Sequence, residues 1–189
     1  MSTSPTTPSD AQGPDARPRP HAIPSLDDAP PLVVVRRLTK AYRGRPALRD
    51  LSLTLPAGRI VGLMGANGCG KTTLLKILAG LLADYDGQVR IAGHAPGPAS
   101  KARVAFLPDA DFLAAGLTPP RAIAQFSRLF ADFDADKAHR LVDFFNLPLD
   151  HSLREMSRGM GEKLRVALVM SRRARVYLLD EPISGVDPA

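Results

Sequence analysis

Apolar and polar residues alternate along Leu48–Leu55, with Leu51, Leu53 and Leu55 on one side, which predicts a half-buried strand. The apolar run Val33–Leu38 predicts another, and Pro56-Ala57-Gly58 supplies the turn that ends this region. The two strands are expected to pair as an antiparallel layer. A second apolar run, Arg59–Met64, reads as a buried strand, followed by a buried helix over Thr72–Leu82 and short strands at Gly87–Ile91 and Arg103–Leu107. Thr118 before Pro119 predicts a helix start, with a capping hydroxyl and proline at the first helical position. Ile123, Phe126, Leu129 and Phe130 then share one face, and a further helix over Asp136–Phe145 uses Leu141, Val142 and Phe145. Leu164, Ala167 and Leu168 mark another amphipathic helix, and Val176–Leu179 an apolar strand. The order predicts an α/β fold whose core is interrupted by a helical insert at about 111–157. There is no internal repeat.

Composition changes this picture at one end only. Residues 1–31 carry eight of the 18 prolines and few large apolar groups, so a disordered tail is expected there and one domain over 32–189. With 44% hydrophobic and 23% charged residues, the 189-residue chain as a whole has ordinary globular composition. The longest candidate span, Leu74–Leu82, is broken by Lys76 and is far short of the roughly 18 apolar residues needed to cross a bilayer. The N-terminus has no secretory pattern and Cys69 is the single cysteine, so a cytoplasmic protein without internal disulfides is expected. The net charge of +6 suits a phosphate-binding protein or one near anionic lipid. Its basic residues, such as Arg154, Arg158, Lys163, Arg165, Arg172, Arg173 and Arg175, lack interleaved aromatics, so no nucleic-acid partner is expected.

Chemistry is concentrated in three places. Gly65-Ala66-Asn67-Gly68-Cys69-Gly70-Lys71-Thr72, continuing into Thr73, fits the pattern G-x-x-x-x-G-K-[ST] between an apolar run and an apolar helix. Glycines let successive N–H groups converge on phosphate oxygens, and the helix opening at Gly70 adds its positive end. Lys71 would reach the outer phosphates, and the Thr72 hydroxyl would ligate a bridging magnesium ion. Cys69 lies near that helix start, where a thiolate is stabilised, but an inert filler residue is the favoured reading. The second place is Val176-Tyr177-Leu178-Leu179-Asp180-Glu181, an apolar strand delivering two carboxylates: Asp180 to hold magnesium, Glu181 to orient or deprotonate an attacking water. The third is Met156-Ser157-Arg158-Gly159-Met160-Gly161, a serine and glycines opening a helix, which makes an anion site. No Asn-Lys-x-Asp guanine-reading motif is present.

This order of motifs resembles the ATP-binding cassette (ABC) proteins, across about Leu32–Ala189. Their signature loop reads Leu-Ser-Gly-Gly-Gln; here Met156 stands for the leucine, Ser157 and Gly159 match, and Arg158 and Met160 replace a glycine and the glutamine. Ser184-Gly185-Val186-Asp187 resembles the D-loop that follows Asp180-Glu181-Pro182. The resemblance implies a P-loop NTPase core, a mostly parallel sheet flanked by helices, with an N-terminal antiparallel layer and the helical insert as a subdomain. It implies ATP and Mg2+ as ligands, with Tyr42 stacking on adenine. It implies a head-to-tail dimer with a second ABC ATPase subunit, homodimeric or heterodimeric, in which Ser157 and Gly159 touch the ATP held by the other subunit's Lys71. It also implies a membrane permease as partner and a peripheral location on the inner face of the cell membrane.

Two departures shape the expectation. Asp109 occupies the place of the family's Q-loop glutamine, where its oxygens could still hold magnesium or water. Members of the family continue past the D-loop to a histidine that contacts the terminal phosphate, whereas His21, His94, His139 and His151 all precede the acidic strand. A fragment or truncated chain missing its C-terminal part is therefore expected, with an exposed sheet edge and weak hydrolysis. The functions that follow are an ATP-hydrolysing transporter subunit or, alternatively, a non-catalytic nucleotide-dependent binding or regulatory module.

Overall fold

A computed structural model describes residues 31–182. The proline-rich tail, apart from Pro31, and the D-loop residues Ser184–Asp187 lie outside the described residues. Pro31, expected in the tail, opens the first strand instead.

The N-terminal layer is β1 (Pro31–Tyr42), β2 (Arg45–Pro56) and β3 (Asp86–Ile91), in the order β2-β1-β3 with antiparallel pairing throughout. Val33, Val35 and Leu38 of β1 face inward, registered with Leu55, Leu53 and Leu51 across β2, while Arg36 and Arg37 face solvent. That is the alternation of a sheet with one dry face. Its inner side packs on helix α1 (Lys71–Leu78), whose Leu74, Ile77 and Leu78 are buried in the same apolar cluster. The helix is shorter than the expected Thr72–Leu82. It stops at Ala79 because Gly80, with φ of 70°, takes the left-handed turn that ends helices.

A second sheet pairs β4 (Val104–Leu107) and β5 (Val176–Leu179) in parallel, each residue opposite its counterpart from Val104–Val176 to Leu107–Leu179. Between them the chain forms α3 (Pro119–Leu129), α4 (Ala135–Phe144) and α5 (Arg158–Met170), preceded by the single turn α2 (Pro98–Lys101), which the periodicity did not show. Ala122, Ile123, Phe126, Ala138, Val142, Leu164 and Leu168 form a core separate from the first. The Val169 side chain of α5 packs instead on Ala105 and Leu107, so α5 joins the helical group to the parallel sheet.

Three local expectations are corrected. Arg59–Met64 is not a buried strand: it pairs with nothing among the described residues, and Ile60 (104%) and Met64 (93%) are fully exposed. A strand in the middle of a parallel sheet needs a neighbour on each edge, and among the described residues β4 and β5 pair only with each other. Leu129, placed by spacing on the buried face of α3, is 63% exposed because the helix ends there and Phe130 turns inward in its stead. Thr118 caps α3 by position only: its side chain makes no capping hydrogen bond, and Pro120 at the second helical position lacks one of the N–H donors it would serve.

Candidate functional site

The phosphate loop is shaped by Gly70. Its φ of 101° is left-handed, and a β-carbon there would lie 2.4 Å from the Ala47 carbonyl oxygen, so β2 closes directly over the loop's exit into α1. Gly65–Cys69 stay open to solvent, with the turn held by the Cys69 N–H donating to the Ala66 carbonyl at 3.2 Å. Lys71, at the first turn of α1, donates to the carbonyls of Gly65 (2.8 Å) and Ala66 (3.1 Å), which tethers its ammonium to the loop it serves.

Thr72, one residue on, reaches across 108 residues of sequence. Its hydroxyl donates to Asp180 Oδ1 at 3.1 Å. Asp180 is placed by the ladder itself, its N–H donating to the Leu107 carbonyl at 2.9 Å just past the end of β5. The carboxylate is 3% exposed, and Oδ2 is buried with no hydrogen-bond partner among the described residues. An orphaned buried oxygen costs roughly 1–3 kcal/mol, more when charged. A hard cation is the group that would satisfy it. Thr72 and Asp180 oxygens fit magnesium, which typically takes one or two protein oxygens and completes its shell with phosphate and water. No cluster of three or more His, Cys, Asp or Glu side chains that could hold a metal ion is present among the described residues.

Glu181 follows with φ of 47°, a left-handed conformation that costs a non-glycine residue roughly 1 kcal/mol. It lines a cavity of about 550 Å3 whose wall also includes Asp109, Ser157, Arg158, Glu162 and Arg165. Thus the Q-loop acid, the serine loop and Glu181 share one cleft, whereas residues 65–72 lie outside its wall. Arg165 closes one side through an ion pair with Asp111. Ser157 caps α5, accepting from the Met160 N–H at 3.3 Å, and Gly159 leaves open space where a β-carbon would stand. Arg158 pairs with Glu162 one turn along at 3.0 Å, and Met160 packs on the helical core.

Tyr42, at the end of β1, is 45% exposed with the Lys40 ammonium 5.0 Å from its ring centroid. Lys40 was not singled out by sequence reasoning. Its signal was a lone lysine in the inward series Val33, Val35, Leu38, Lys40. Arg165 and Glu162 escaped for a different reason, since only the folded helix shows which of its charges face the cleft.

The family model described as "ABC transporter" matches residues 48–184, well over half of the chain. The chain belongs to the ABC transporter family. Among curated ABC proteins, it is 33% identical to "ABC transporter ATP-binding protein YtrB" of Bacillus subtilis over 82% of this chain and 54% of that protein. It is 32% identical to "Nod factor export ATP-binding protein I" of Rhizobium meliloti, over 90% of this chain and 52% of the relative. "Aliphatic sulfonates import ATP-binding protein SsuB 1" of Xanthomonas axonopodis pv. citri is 36% identical over 78% of this chain and 61% of its own length. The chain thus spans about half the length of the curated relatives it matches. A solved "ATP binding subunit of ABC transporter" superposes with a TM-score of 0.72 at 27% identity, covering 83% of this chain and 69% of that one. A Pyrococcus furiosus ABC ATP-binding protein shares the fold at a TM-score of 0.71 and 24% identity. The ABC ATPase fold, with its P-loop core and antiparallel N-terminal sheet, is the one expected from the motif order.

Proposed function

We propose that this chain is the ATP-binding and ATP-hydrolysing unit of an ABC transporter, acting with magnesium. The observation that carries the reading is the Thr72–Asp180 contact, which joins the phosphate loop to the acidic strand around one unpartnered carboxylate oxygen. The backbone N–H groups of residues 65–73 would bind the phosphates, and the Lys71 ammonium would exchange its two loop carbonyls for the outer phosphate oxygens. Magnesium, once bound, would neutralise developing charge on the transferred phosphoryl group. Glu181, exposed beside Asp180, would accept the proton of the attacking water or orient that water. Tyr42 would stack on adenine.

In this reading Asp109 lies in the cleft with Glu181 and holds water, or the metal through water, from that side. Ser157, Arg158, Gly159 and Met160 present a helix N-terminus to the ATP of a second ABC subunit in a head-to-tail dimer. Residues at about 111–157 form a helical subdomain, supported by the second apolar core, which they share with Leu164 and Leu168 of α5, and dock on a membrane permease at the inner face of the membrane. No helix among the described residues is long and apolar enough to cross a membrane, so the membrane component would be a different segment or subunit.

Glu181→Gln tests the catalytic reading against a module that binds without hydrolysing. The expected outcome is retained Mg-ATP binding with turnover lowered by roughly 100-fold or more, the scale of a lost general base. Equal turnover in the two proteins would overturn it.

A further inference from the structure

The Lys40 side chain is 7% exposed, an unusual place for an ammonium group, and its Nζ has two partners. It lies 5.0 Å from the centroid of the Tyr42 ring, within cation–π range, and it donates to Asp84 Oδ2 at 2.7 Å. Asp84 sits between α1 and β3, and its side chain is fully exposed. The hydrogen bond and positive charge of Lys40 hold the Asp84 carboxyl below its ordinary range. The pair therefore ties the end of β1 to the segment that leaves α1, the helix whose first turn carries Lys71 and Thr72. Tyr42 nonetheless keeps 45% of its surface open, so the ring remains available to a ligand.

We propose that Lys40 is a positioning residue for the nucleotide base: tethered by Asp84, its ammonium fixes the Tyr42 ring and draws electron density from it, favouring an electron-rich purine on the open surface. This rests on the reading of Tyr42 as the adenine platform. A flat ring on a strand end otherwise loses rotamer freedom when the base arrives; holding it in advance removes that cost. Withdrawing density from the ring also suits offset stacking with adenine, because stacked rings attract when their quadrupoles differ.

The test is a titration of the 189-residue chain with Mg-ATP and with Mg-tripolyphosphate, which has the phosphates but no base. Lys40→Met should weaken Mg-ATP binding about two- to fivefold, the scale of one cation–π contact, and leave tripolyphosphate binding unchanged. Lys40→Arg should restore it. In a Tyr42→Ala background, Lys40→Met should add nothing further. Asp84→Asn, at a fully exposed position that folding tolerates, should shift Mg-ATP in the same direction by a smaller factor. Equal losses for both ligands, or a Lys40→Met effect that persists without Tyr42, would overturn the positioning role while leaving the adenine platform standing. Mg-ATP affinity unchanged by Tyr42→Ala would overturn the platform itself, and the proposal with it.

Discussion

Replacing Asp180 by asparagine should stabilise the nucleotide-free chain while removing its response to Mg-ATP. In the folded chain the carboxylate is 3% exposed, with one oxygen accepting from Thr72 and the other unpartnered. Burying such a charge costs several kcal/mol after relaxation, about 3–4 here by that scale. Asparagine keeps an oxygen for the Thr72 hydroxyl, at a loss of about 1 kcal/mol for the weaker neutral bond, and its amide donors, left without partners, cost roughly another 1 kcal/mol. The net gain is about 1–2 kcal/mol, or roughly 2–8 °C in melting temperature for a chain of this size. The wild type should gain about 2.7 kcal/mol from Mg-ATP at 100 times its Kd. The variant should gain little, because the charge that holds the ion is gone. Thermal melts of both proteins, with and without Mg-ATP and with EDTA as control, read both effects. A variant that is less stable than wild type without nucleotide, or that keeps the full magnesium-dependent shift, would refute the reasoning.

Other outcomes follow from burial and charge. Leu168, fully buried in the helical core, should cost about 2–5 kcal/mol as alanine, whereas Ile60→Ser, at a fully exposed position, should stay within about 0.5 kcal/mol; urea titrations compare them. A large loss at Ile60 would show that Arg59–Met64 is buried after all. Acid should destabilise the chain. The Lys137 N–H and Arg173 hold the Asp134 carboxyl down, and the Ser152 hydroxyl and N–H do the same for Glu155. A depressed carboxylate contributes stability above its unfolded value and loses it as pH falls through the folded one, so the loss should set in below about pH 4. Glu155→Gln should flatten that part of the pH profile, read by urea midpoints.

What could be read in advance was what chemistry dictates locally. A triphosphate cradle needs its glycines, lysine and threonine in one run, and a strand that delivers acids ends in them, so residues 65–72 and Val176–Glu181 declare themselves. An apolar run likewise gave β1 and alternation gave β2, although their ends at Tyr42 and Arg45 extend past the apolar pattern, because the hairpin tip there is held by pairing alone. Arg59–Met64 shows the limit. An apolar run records that burial is favourable, but not which strand will cover it. The pairs that join distant segments were equally hidden: Lys40 with Asp84, Arg165 with Asp111, and Arg172 with Asp132 are 44, 54 and 40 residues apart. Each depends on where the fold places a loop, and a charged residue in the sequence carries no such address. The cleft shared by Asp109, Ser157 and Glu181 is of this kind too, since α5 must lie against β4 before those residues meet.

The central claim is that the phosphate loop and Asp180, joined through Thr72, hold Mg-ATP between them. Calorimetric titration of Mg-ATP into the wild-type chain and into Lys71→Ala measures this directly. One nucleotide should bind per wild-type chain, with little or no heat from the variant and a marked loss for the wild type when EDTA removes magnesium. Identical binding curves for the two proteins, or no heat of complexation with folded wild-type chain, would contradict it.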